Sequence, residues 1–168
     1  MERMNSSEIE VLYRRHGAAL VLYATSIAGE RSRAQDLVHQ VFLKLIENGK
    51  LSQAEDKKAY LFACVRNAVL NDRKVGARHT ALEDDTPCFS PPDKDYAAEQ
   101  NLRRALGTLP EDQRQVVVLH VWGELTFLQI GELLGLSSNT AASRYRYALG
   151  KLRDSMSVKE NYCADSGR

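Results

Sequence analysis

Residues 109–153, LPEDQRQVVVLHVWGELTFLQIGELLGLSSNTAASRYRYALGKLR, decide the fold of this chain. They read as three helices, the last two joined by the turn Gly135-Leu136-Ser137. Ile130, Leu133 and Leu134 sit three and four apart and form one apolar stripe on a short helix. Gly135 follows the last apolar position, where a helix end often requires a left-handed backbone. Leu136 would plug the angle between the helices. Ser137 is a good N-cap for the helix that follows, because its hydroxyl satisfies an amide that has no helical partner. In that helix Ala141, Tyr145, Ala148 and Leu152 define a buried face. Ser138, Asn139, Ala142, Ser143, Arg146, Tyr147 and Lys151 lie opposite, with Arg144 on the flank. Short polar side chains at the helix start suit base edges, and the basic residues after them suit phosphates. This is the layout of a helix-turn-helix reader of duplex DNA. An ordinary helical hairpin with a solvated face has the same periodicity, so the reading needs support from the rest of the chain.

The 168 residues suit one medium domain or two small ones. A hydrophobic content of 43% with 27% charged residues is ordinary for a globular chain. The longest aliphatic run, Val116 to Leu119, is far too short to span a bilayer. The start, MERMNSSEIE, is charged and has no apolar core, so no signal peptide and no membrane insertion are expected. Cys64, Cys88 and Cys163 are odd in number and widely spaced, which yields neither a disulfide framework nor metal-ligand spacing. A cytoplasmic location follows by default. Cys88 reads as a plain exposed thiol, with a redox role the minor alternative. His16, His39, His79 and His120 are scattered, with no nucleophile motif and no glycine-rich phosphate loop. An enzyme is not expected, nor is a cofactor or metal.

The formal net charge of +1 hides a segregated distribution. Arg66, Arg73, Lys74 and Arg78 against Asp72 give a local +3. Arg144, Arg146, Lys151 and Arg153 against Asp154 give another +3. Between them, Glu83, Asp84, Asp85, Asp93, Asp95 and Glu99 against Lys94 give −5. Local patches, not the total, set a phosphate footprint.

The acidic stretch 76–96 holds three of the four prolines and has no apolar period, so it reads as a flexible linker. Before it, a domain of residues 1–75 is helical by pattern. Ile9, Leu12, Tyr13, His16, Leu20, Tyr23 and Ile27 step by three or four, and Gly29 ends that helix. Ala34, Leu37, Val38, Val41, Phe42, Leu45 and Ile46 form a wide buried stripe broken by Asn48-Gly49. Leu61, Cys64, Val65, Ala68 and Val69 give a third helix over 56–74. A second domain, 97–156, opens with Leu102, Ala105, Leu106 and Leu109 on a helix stopped at Pro110, and a Val-rich helix spans 111–122. The tail, 157–168, is short and polar and is expected to be disordered. The fold class is therefore all-α: two small helical domains joined by a flexible linker, the second containing the helix-turn-helix.

Three blocks, AQDLVHQVFLKLIE, YLFACVRNAVLNDRK and the stretch quoted first, occur in that order, and together they resemble the extracytoplasmic-function (ECF) sigma factors of bacterial RNA polymerase. The resemblance covers about Ser7 to Met156. Its first two blocks look like sigma region 2 and the third like region 4. The resemblance implies a subunit that binds core RNA polymerase and directs promoter-specific initiation, with an anti-sigma factor as a further partner.

In that family the first block docks on the clamp of the β′ subunit, which implies core-polymerase contacts from Asp36, Leu37, Val38, Gln40, Val41 and Phe42. His39 and Gln40 stand where the family usually has Gln and Glu, so one carboxylate is lost. By periodicity alone, Leu37, Val38, Val41 and Phe42 equally fit a plain core stripe. The second block implies that Tyr60, Arg66, Asn67, Asn71, Arg73 and Lys74 bind and melt the minus-ten element, with Tyr60 where the family often has Trp. Melting needs a pocket for an unstacked base and cations for the single strand. A solvated helix face would explain Arg66, Arg73 and Lys74 equally well. The third block implies that Ser138, Asn139, Thr140, Ser143, Arg144, Arg146 and Tyr147 bind the minus-thirty-five element, with Ala142 replacing a frequent Lys. The family also implies a contact between this domain and the flap of the β subunit. The competing reading is a stand-alone helix-turn-helix regulator that binds an operator and does not bind core polymerase.

Overall fold

Asn5 and Glu8 start the first helix as a capping box, the Asn5 amide donating to Glu8 Oε2 at 3.1 Å. The computed structural model describes residues 4–76 and 96–165, with side chains placed over 4–76 and 101–155. Its order is α1 (Ser6–Ala28), α2 (Arg31–Asn48), a 3₁₀ turn (Lys50–Gln53), α3 (Lys57–Gly76), α4 (Tyr96–Gly107), α5 (Glu111–Val121), α6 (Phe127–Leu134) and α7 (Ser138–Asp165). No strand occurs among the described residues. The expected helix ends at Gly29 and Gly49 are present. The linker expected over 76–96 lies outside the described residues except at its ends, where Gly76 closes α3 and Tyr96 opens α4; Cys88 lies outside them too. At the other end the chain departs from expectation: α7 continues past Met156 to Asp165, where a disordered tail was expected.

Helices α1, α2 and α3 enclose Leu20, Tyr23, Ala24, Leu37, Val38, Leu61, Val65 and Val69, all buried. In the second half, α5 is the central piece. Val116, Val117, Val118 and Leu119 are consecutive and at most 2% exposed, so this helix is apolar on every side over that turn. A helix buried all round must be covered from more than one direction. Helix α1 covers one side of α5 and α7 another, and the two halves share one continuous apolar core.

Polar contacts run along the same seam. Arg114 Nη1 donates to the Ser26 carbonyl at 2.8 Å, and the Tyr23 hydroxyl donates to Gln115 Oε1 at 3.1 Å. Lys58 Nζ donates to the Glu124 carbonyl at 3.0 Å, and Gln129 Nε2 donates to Asp56 Oδ2 at 2.6 Å. The Arg114 guanidinium also satisfies the carbonyls of Leu106 and Leu109, so one side chain ties α1, the α4–α5 turn and α5 together.

Candidate nucleic-acid and polymerase interfaces

The recognition helix is positioned by the turn before it. Gly135 has φ +71°, the left-handed conformation expected from its place in the sequence. The Ser137 hydroxyl accepts from the Thr140 amide at 3.1 Å and so caps α7 as anticipated. Thr126 and Gln129 form a second capping box at the start of α6, with amide-to-side-chain distances of 2.9 and 3.2 Å. Behind the turn, the His120 ring stacks on Phe127 at 4.3 Å and meets Tyr145 edge-on at 4.7 Å, which fixes α7 against α5 and α6. Ala141 and Ala148 are fully buried beneath.

The outward face of α7 carries Ser138, Asn139, Thr140, Arg146 and Tyr147, all exposed; Tyr147 is 70% exposed. Thr140 and Ser143 are engaged locally, the first with the Ser137 hydroxyl at 2.9 Å and the second with Arg146 at 3.4 Å. Arg144 is half-buried and turned toward Asp112, with Nε 3.6 Å from a carboxylate oxygen.

The residues expected on α3 as one DNA-facing set occupy two faces. Asn67, Asn71 and Lys74 are exposed at helical spacing, and Tyr60 extends the line as a half-buried ring beside Cys64. Burial raises the pKa of both the Tyr60 hydroxyl and the Cys64 thiol. Arg66 and Arg73 sit one turn-face away, toward α5. Arg73 forms a two-point ion pair with Glu111, both distances 2.9 Å, and this pairing raises the Arg73 pKa. Arg66 lies beside the buried Tyr23 hydroxyl, whose pKa is raised mainly by burial and is partly held down by that cation. Arg66 Nε is itself buried with no hydrogen-bond partner.

On α2, Leu37, Val38, Val41 and Phe42 are at most 6% exposed. They pack into the core as a plain core stripe would, and Phe42 also borders a surface cleft. Asp36 and Gln40 are exposed, together with His39, Leu43 at 60% and Ile46 at 47%. Ile46 was expected in the buried stripe; it lies at the rim, where it lines a shallow cleft with Ile9, Tyr13, His39, Phe42 and Leu43. Tyr13 closes that cleft through a 2.7 Å hydrogen bond between its hydroxyl and His39 Nε2. The signal for Leu43 was available, since a large apolar side chain falling off the buried period of a helix marks a contact surface; Ile46 lay on that period and gave no such signal.

Among the described residues no His, Cys, Asp or Glu cluster could hold a metal ion, and no helix is long and apolar enough to cross a membrane.

Comparison with known proteins assigns both halves. The family model described as Sigma-70 region 2 matches residues 12–79, and the one described as Sigma-70, region 4 matches residues 99–152. The RNA polymerase sigma-E factor of Streptomyces coelicolor is 30% identical over 163 residues, covering 91% of this chain and 88% of that protein. The ECF RNA polymerase sigma factor SigL of Mycobacterium tuberculosis is 28% identical over 153 residues, covering 86% of each. Among solved structures, the sigma factor RpoE bound to the anti-sigma factor NepR from Bartonella quintana superposes with a TM-score of 0.68 at 21% identity, covering 92% of this chain and 99% of that one.

Proposed function

Because this chain belongs to the ECF RNA polymerase sigma factors, we propose a division of labour among its helices in binding core polymerase and directing promoter-specific initiation. Helix α2 docks on the β′ clamp through Asp36, Gln40 and the exposed apolar pair Leu43 and Ile46. Leu37, Val38, Val41 and Phe42 support that surface from beneath. Helix α3 engages the minus-ten element through Tyr60, Asn67, Asn71 and Lys74, with Arg66 and Arg73 as its cations. Helix α7 reads the minus-thirty-five element through Ser138, Asn139, Thr140, Ser143, Arg144, Arg146 and Tyr147. The boundaries are 1–75 for the first unit, 76–96 for the connection and 97–156 for the second, which also meets the β flap. The protein works in the cytoplasm as an initiation factor and not as a catalyst. An anti-sigma factor is its regulatory partner, in keeping with the complexes in which related folds were solved.

The observation that carries this reading is the presence, in one chain, of an exposed polar stripe on α3 and an open recognition face on α7. A simple operator-binding regulator needs only the second. Two weak readers on one chain also reinforce each other, since binding of the first raises the effective concentration of the second.

The α3 stripe is tested at the step it serves. Tyr60→Ala and Asn67→Ala are each expected to reduce strand opening about tenfold, within the range of about 1–3 kcal/mol for a lost base contact. Closed-complex affinity should change much less. Permanganate reactivity of the minus-ten thymines, on a promoter found by run-off transcription from genomic fragments, measures opening. Wild-type reactivity in both variants would remove α3 from the melting step.

A further inference from the structure

Helix α3 carries five cations, Lys57, Lys58, Arg66, Arg73 and Lys74, and a single acid, Asp72. Asp72 follows Asn71 of the exposed stripe and precedes Lys74 by two residues, so it falls within the segment assigned to the minus-ten strand. A carboxylate there repels phosphates, and the carbonyl end of a helix disfavours it as well. Its partner comes from another helix. Arg33 of α2 donates from Nε to Asp72 Oδ2 at 3.0 Å and from Nη2 to Asp72 Oδ1, a two-point ion pair. Hydrogen bonding to Asp72 raises the Arg33 pKa.

Arg33 is also placed against its own helix, because the first turn of α2 disfavours a cation. Neither charge serves the helix that carries it; each answers the other. The Arg33 side chain is 49% exposed and that of Asp72 23%, so the guanidinium is the outer member of the pair. Glu30 and Asp36 add their negative fields at Arg33 to that of Asp72. The Arg33 charge is thus taken up within the protein and is not a further cation for DNA.

We propose that Arg33 is a positioning residue for strand opening: it acts through Asp72, cancelling the one negative charge of α3 so that the melted strand meets a face with no uncovered carboxylate. On the assignment of α3 to the minus-ten element, on which this role rests, opening then depends on a residue of α2 outside the exposed stripe. Loss of the Arg33 charge leaves Asp72 uncovered, and its repulsion reaches over a Debye length, about 8 Å at physiological salt.

The experiment uses the full chain assembled with core polymerase, and reads permanganate reactivity of the minus-ten thymines at low and high salt. Arg33→Ala is expected to lower opening about fivefold at about 0.05 M salt and by less at about 0.3 M, where the uncovered charge is screened. Adding Asp72→Asn to Arg33→Ala should restore opening to within about twofold of the wild type, because the charge to be cancelled is gone. Adding Glu10→Gln instead, the same change in net charge at an exposed position on α1, should restore nothing. Arg33→Lys keeps the charge and should lose less than about twofold. Three results would overturn the role of Arg33: full opening by Arg33→Ala, no rescue by Asp72→Asn, or a loss in Asp72→Asn alone equal to that in Arg33→Ala. The second points to direct DNA contact by Arg33 and the third to a mere brace between helices. Should Arg33→Ala not fold, Arg33→Gln takes its place and is read the same way. Wild-type opening by Tyr60→Ala and Asn67→Ala would strike the assignment of α3 itself. A defect in those two without rescue of Arg33→Ala strikes only the role of Arg33.

Discussion

Phe62→Ala is expected to lower the stability of the folded chain by about 3–5 kcal/mol, the usual cost of deleting a fully buried aromatic side chain. Phe62 is 0% exposed although it sits on α3, at the seam between the two halves. Its ring meets Tyr23 of α1 edge-on at 5.7 Å. Its far end reaches Gly123, just beyond α5, where an added Cβ would lie 3.1 Å from the ring. One side chain therefore pins α1, α3 and the end of α5. Urea denaturation followed by circular dichroism gives the value. A loss below about 1 kcal/mol would mean that Phe62 is not enclosed and that the halves do not pack as described.

Gly131→Ala is expected to disable the DNA reader and to cost about 2–3 kcal/mol, as overpacking a rigid site does. A Cβ at this position would stand 2.5 Å from the Leu136 carbonyl oxygen and 3.3 Å from backbone atoms of Ser137 and Ser138. The Leu136 amide meanwhile donates to the Gly131 carbonyl at 2.8 Å, so α6 and the turn are in backbone-to-backbone contact. No side chain can move aside to make room; the whole of α7 must tilt. Duplex affinity should fall at least tenfold, with the thermal midpoint lowered. Wild-type affinity from this variant would show that α6 and α7 do not meet at the angle described.

The turn itself was legible because each of its residues answers a local need: Gly135 the left-handed backbone, Ser137 the cap, Ala141 and Ala148 the close approach of α7. The helix ends at Gly29 and Gly49 were legible for the same reason. What periodicity does not specify is the partner of a face. Leu37, Val38, Val41 and Phe42 match a docking pattern and a core stripe equally well, and only packing assigns them to the core. The run Val116 to Leu119 held a clue in plain view, since four consecutive apolar residues are too many for a helix with one buried side. It signals coverage by both α1 and α7, and hence direct packing of the two halves. Arg66 and Arg73 had basic character suited to DNA, yet their partners lie far along the chain, and no local pattern announces an ion pair such as Arg73–Glu111. The candidate sites were legible in the sequence as residue sets; their division into exposed side chains and engaged cations required the three-dimensional arrangement.

The central claim, that this chain is a subunit for core RNA polymerase, is tested most directly by mixing it with sigma-free core enzyme and separating the mixture by size. The wild type is expected to co-elute, and a variant with Asp36→Arg and Leu43→Asp on the exposed face of α2 should not. Failure of the folded, inhibitor-free wild type to co-elute would contradict the account and leave a stand-alone operator-binding regulator in its place.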